Sequence, residues 1–164
     1  MASLPGLNGT VTRWVVYSCL IMALTTHSPS SLAEPLSSLD PLRWERRVIL
    51  VFANDSTFTE VQAALGAAQA SLAERDVTWL LIGGDDTVDS NHTGTISRAF
   101  VSELKDGFAP LSEPVDVVLV GKDGGVKARA EALDLPALFD QIDGMPMRQR
   151  ELRERATPPP GGGP

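Results

Sequence analysis

Only one cysteine, one tyrosine and two histidines occur among the 164 residues. A lone cysteine excludes an intramolecular disulfide, a Cys-x-x-Cys redox pair and a thiolate metal cluster within one chain. Imidazole chemistry is confined to His27 and His92. An apolar run long enough to cross a bilayer is missing too, because the run at residues 14–24 falls well short of a spanning helix. Positive charge is scarce: 14 Lys and Arg stand against 21 Asp and Glu, a formal net charge of -7. Nucleic acid and anionic membrane surfaces are therefore poor partners.

The N-terminal residues read as an export signal. They contain no acidic side chain and one arginine, Arg13, followed by the apolar run, the helix breakers Ser28, Pro29 and Ser30, and then Ser31-Leu32-Ala33. Small residues at both positions that a signal peptidase needs place cleavage after Ala33. Residues 1–33 are thus expected to be a signal peptide, and the mature protein to be periplasmic or secreted from a bacterium, without stable membrane insertion. An uncleaved anchor beginning near Val11 is the alternative. Lipidation at Cys19 fits poorly, because Tyr17 is bulky and the cysteine lies inside the apolar run. Cleavage would remove Cys19, His27 and Arg13, leaving no thiol and 13 basic against 21 acidic residues.

Residues 34–43, with two prolines among scattered leucines, suit an extended lead-in to a domain spanning 44–155. The continuous apolar run 48–52 predicts a strand buried on both faces by helices. Thr57 and Glu60 form a capping-box pattern for a helix reaching Arg75, with Ser56 beside it. Residues 77–82 predict a second strand, parallel to the first through the helical crossover. Residues 83–94 read as a polar, acidic loop, and 95–105 as a helix carrying Ile96, Phe100 and Leu104 on one face. Strands follow at 115–120 and 126–129, joined at Asp123-Gly124, a hairpin turn that favours glycine at Gly124. A helix is expected around 136–142, then a solvated one at 147–155 with Glu151 and Arg155 paired one turn apart. The Pro- and Gly-rich residues 156–164 are expected to be a disordered tail.

Strand, helix, strand, helix, hairpin and terminal helix is the element order of the thioredoxin fold. In that fold the catalytic Cys-x-x-Cys opens the first helix, where this chain has Ser56-Thr57-Phe58-Thr59. Pro114 stands where such proteins place a cis-proline before the hairpin. Residues 41–53 (Pro-Leu-Arg-Trp-Glu-Arg-Arg-Val-Ile-Leu-Val-Phe-Ala), 119–127 (Leu-Val-Gly-Lys-Asp-Gly-Gly-Val-Lys) and 142–148 (Ile-Asp-Gly-Met-Pro-Met-Arg) are more specific. Through them the chain resembles the domain of unknown function 4174 family, found in bacterial exported proteins and some animal extracellular-matrix proteins. The resemblance covers about residues 39–152. It implies an α/β, thioredoxin-like, four-stranded mixed sheet of order 2-1-3-4 flanked by helices, without active-site cysteines. It implies no reaction.

Thiol chemistry needs a thiolate, which Ser56 and Thr59 cannot supply, so capping is the economical role of these hydroxyls. Asp85, Asp86, Asp89 and His92 form a candidate divalent-metal loop, although their spacing fits no calcium loop and a solvated acidic loop is the plainer reading. The glycines and Lys122 of 121–125 precede a strand rather than a helix, which favours a hairpin turn over a phosphate cradle. Met145, Met147 and Arg148, with Arg150 nearby, form either a helix junction around Gly144 and Pro146 or an adaptable recognition surface for an unknown protein partner. No cofactor is implied. Asn54-Asp55-Ser56 and Asn91-His92-Thr93 are glycosylation sequons that matter only in a eukaryotic secretory pathway. The reading favours a redox-inactive binding or interaction module over its competitor, a metal-dependent binder or enzyme built on residues 85–92.

Overall fold

The computed structural model describes residues 35–108 and 114–157. The expected signal peptide and cleavage point, with Cys19 and His27, fall outside the described residues, as do residues 158–164 of the expected tail. Among the described residues a 3-10 turn (Asp40–Leu42) precedes five strands and five α-helices: β1 (Arg47–Ala53), α1 (Asp55–Ala67), α2 (Gln69–Glu74), β2 (Val77–Gly83), β3 (Val88–Ser90), α3 (Arg98–Gly107), β4 (Val115–Val120), β5 (Val126–Ala130), α4 (Leu135–Asp143) and α5 (Pro146–Ala156). They build one sheet of order β3-β2-β1-β4-β5.

Every residue of β1, β2 and β4 is buried, which is why their sequences are continuous apolar runs rather than alternating ones. Ile49, Val51, Leu81, Val117 and Leu119 meet α1, α2 and α4 on one face. Val48, Leu50, Phe52, Leu80 and Val118 meet α3 on the other, together with Leu36 and Leu42 of the lead-in. Leu36 is tied down by bonds to Thr95 and Ser97 and forms a bridge with Ile96. β1 pairs with β2 in parallel and with β4 antiparallel. The four expected strands thus take the thioredoxin-like order 2-1-3-4.

The fifth strand corrects the reading of 83–94 as a loop. Val88–Ser90 pairs antiparallel with the outer edge of β2. Asn91 extends that edge with its side chain: its Oδ1 accepts from Trp79 N at 2.9 Å and its Nδ2 donates to the Val77 carbonyl at 3.0 Å. Three residues are too few for alternation to show in sequence.

The predicted helix 57–75 is two helices, and its cap is Asn54 rather than Thr57. Asn54 Oδ1 accepts from Thr57 N at 3.2 Å, from Thr57 Oγ1 at 3.0 Å and from Ser56 Oγ at 2.7 Å. Thr57 lies inside the first turn, so Glu60 closes no capping box. Ala68 (φ -91, ψ 6) breaks the helix just after Gly66, a weak helix former, and turns α2 so that Leu72 is as fully buried as Leu65. The hairpin turn is as expected, with Gly124 at φ 82, a region that a Cβ disfavours. Trp44 takes a left-handed φ of 70 without being glycine, and it is held there by donating its N–H to the Lys122 carbonyl at 2.6 Å. Its ring stays 59% exposed beneath the Arg43 guanidinium.

Replacing the true cap should be felt and replacing the false one should not. Asn54→Ala is expected to lower unfolding free energy by about 1 kcal/mol in urea titrations, and Glu60→Ala to leave the midpoint unchanged.

Candidate functional site

The three segments that carry the family resemblance meet at one end of the sheet. Arg47 opens β1, residues 121–125 turn out of β4, and residues 142–148 link α4 to α5. Between them lies a groove of about 270 Å³ whose walls include Arg47, Lys122, Lys127, Met145, Pro146 and Met147. Gly121 is part of its floor, and a Cβ there would displace the ends of the Lys127 and Asp123 side chains, coming within 2.5 Å of Lys127 Cε and 2.8 Å of Asp123 Oδ1. The thioethers, the proline ring and the lysine methylenes make this surface mainly apolar, and flexible methionines let it adapt its shape.

Arg148 does not belong to that surface. It is 1% exposed and points inward, donating from Nε to Asp143 at 3.0 Å and from its terminal nitrogens to the Glu74 carbonyl (2.9 Å) and carboxylate (2.8 Å). Arg150 is the exposed arginine. The recognition surface expected around Met145, Met147 and Arg148 therefore keeps both methionines, each half-buried, and loses its arginine.

α5 is solvated over most of its length, as expected, but the expected pairing within it does not form. Glu151 turns away from Arg155 and meets Arg47 at 3.1 Å and Lys122 at 2.8 Å. Lys122 also reaches Asp76 at 3.0 Å, and Arg155 joins Asp76 at 3.5 Å. Arg75 pairs with Asp143 at 2.5 Å and lies over the Phe139 ring. Burial alone would push the Glu151 carboxyl up, but hydrogen bonds from Lys122 and Arg47 outweigh it and hold the group below the usual range. For Asp143, bonds from Arg75 and Arg148 likewise overcome burial. The floor behind the methionines is thus an interlinked ionic layer.

A second groove, of about 350 Å³, lies at the opposite end between Thr57 of α1 and Pro114 before β4. This is the place of Ser56-Thr57-Phe58-Thr59. Thr57 Oγ1 lies 3.3 Å from the Pro114 carbonyl, which also accepts from Asn54 N at 3.1 Å. Ser56 and Thr57 hold the turn together, and neither contacts a base.

The proposed metal residues are not brought together. Asp85 accepts from Thr87 N, Asp86 pairs with Lys105, Asp89 accepts from Gln62 Nε2 and Ser90 N, and His92 donates its backbone N–H to Ser90. Among the described residues no group of three His, Cys, Asp or Glu side chains could hold a metal ion. No helix among them is long and apolar enough to cross a membrane.

Two expectations follow. Arg148→Ala should cost about 2–4 kcal/mol by uncovering Asp143 and Glu74 behind α5, whereas Arg150→Ala should change stability by less than about 0.5 kcal/mol; thermal unfolding compares them. Glu151 and Asp143 bind protons less readily folded than unfolded, so the stability they add is complete above the ordinary carboxylate range, about pH 4. It is lost as pH falls from there through the depressed folded values. A melting temperature that declines below about pH 4, with a shallower slope in Glu151→Gln, is the expected profile.

Among known proteins, the chain is similar to coiled-coil domain-containing protein 80 of Danio rerio, with 29% identity over 143 residues, covering 76% of this chain and 16% of that protein. It thus spans about a sixth of the length of that relative. Similar solved structures include the reduced 2-Cys peroxiredoxin of Plasmodium vivax (19% identity, TM-score 0.46, covering 70% of this chain and 84% of that one). The exposed lipoprotein thioredoxin of Streptococcus pneumoniae is another (12% identity, TM-score 0.41, covering 65% and 90%). One family profile, the domain of unknown function DUF4174, matches residues 38–151, and the chain belongs to that family.

Proposed function

We propose that this protein is an exported, redox-inactive thioredoxin-like domain that acts by binding a protein partner through the methionine groove. The observation that carries the reading is the pairing of an adaptable apolar surface, formed by Met145, Pro146 and Met147, with an ionic layer that fixes its shape from behind. Such a surface gives affinity through apolar contact while its backbone stays preorganised. The opposite groove supports the redox-inactive part, because its first-turn hydroxyls are engaged in capping and a hydroxyl needs an activating base to act as a nucleophile. Export rests on the leader pattern of residues 1–33.

The test places a photo-crosslinking amino acid at Met147 of the full chain in its producing cell, with Ser102, exposed on α3, as the control position. A discrete adduct at 147 that is missing at 102, on a protein whose N-terminus is Glu34, is expected. The same purified protein should give no turnover with dithiol or peroxide substrates above the reagent blank. Sustained turnover, or equal adducts at both positions, overturns the reading.

A further inference from the structure

The groove beside Pro114 differs in charge from the methionine groove. Its floor is apolar, made by Val61, Ala64, Val115 and Leu133, and its rim carries Glu60 from α1 and Glu131 from the segment after β5. No lysine or arginine lines it. Both glutamates are exposed, and neither has an ion pair among the described residues. The first turn of α1 adds Asp55 at this end, and the loops add Asp85 and Asp134. The basic side chains here are already engaged: Lys105 pairs with Asp86 at 2.5 Å, and Arg129 donates to the Phe108 carbonyl at 2.8 Å. At the other end Arg47, Arg75, Lys122, Arg148 and Arg155 balance the carboxylates. The excess negative charge of the chain is therefore concentrated around this groove.

We propose that the groove binds a basic polypeptide segment, with one aliphatic side chain on the Val61–Leu133 floor and a flanking lysine or arginine against Glu60 and Glu131. A bare divalent cation is a poor occupant, because two carboxylates do not fill a coordination shell. An acidic or neutral segment would meet the field with the wrong sign or none. The apolar floor supplies affinity, and the glutamates select the sign of the partner and speed its approach. This site is independent of the methionine groove.

The experiment uses protein purified from cells expressing the whole chain and two labelled pentapeptides, Lys-Leu-Val-Leu-Lys and Glu-Leu-Val-Leu-Glu, both blocked at their ends. Anisotropy titration should give saturable binding of the lysine peptide, at least about tenfold tighter than the glutamate peptide and weakened on raising salt from about 50 to about 300 mM. Glu60→Lys/Glu131→Lys should abolish the preference while leaving the melting temperature in place, since both side chains are exposed. Amide shifts on adding the lysine peptide should collect at Val61, Val115 and Leu133. Equal affinity for the two peptides, no saturation, or an unchanged preference in the double variant would overturn the proposal. Shifts collecting at Met145 and Met147 would also overturn it, while leaving the methionine groove as the binding surface.

Discussion

Arg47 is the first residue of the central strand, and it is 1% exposed. A guanidinium enclosed there has to have its charge answered within the protein. The answer comes from the other end of the chain. Glu151 on α5 faces both terminal nitrogens of Arg47, and Lys122 at the hairpin shares the same carboxylate. Once α5 is held there, the link between α4 and α5 lies across the end of the sheet, and Met145 and Met147 face the hairpin. The methionine groove is a by-product of satisfying one buried cation.

The two ends of the sheet accordingly have different chemistry. At the start of β1 opposite charges interlock, leaving the neighbouring surface apolar. At its far end, side chains are used for local turns: Asn54 caps α1, Asp134 caps α4 and Thr57 reaches the Pro114 carbonyl. Carboxylates beyond those caps face solvent. One sheet thereby carries a mainly apolar groove at one end and an acidic-rimmed groove at the other.

The framework was readable because it rests on burial, which leaves a simple signature. Runs such as 48–52 and 115–120 are apolar throughout because both faces of their strands are covered, and Asp123-Gly124 shows in its sequence the backbone that a hairpin needs. What could not be read depends on three-dimensional partners. Glu151 and Arg155 have the spacing of a surface pair on a helix, yet each has a stronger partner from a distant segment, Arg47 and Asp76 respectively. Arg148 and Arg150 look equivalent in sequence, and only the direction of α5 sends one inward and the other to solvent. An arginine heading an otherwise apolar strand run was the available signal of a buried counter-charge. Asn54 does not stand out as a cap in sequence, because Thr57 and Glu60 reproduce the capping-box spacing three residues later.

The bond between Arg47 and Glu151 joins residues 104 positions apart. β1 precedes α5 in the sequence, so the charge at its head is answered only when a distant segment folds back against the end of the sheet. Cutting the protein anywhere before α5 would therefore remove the counter-ion on which its first strand depends.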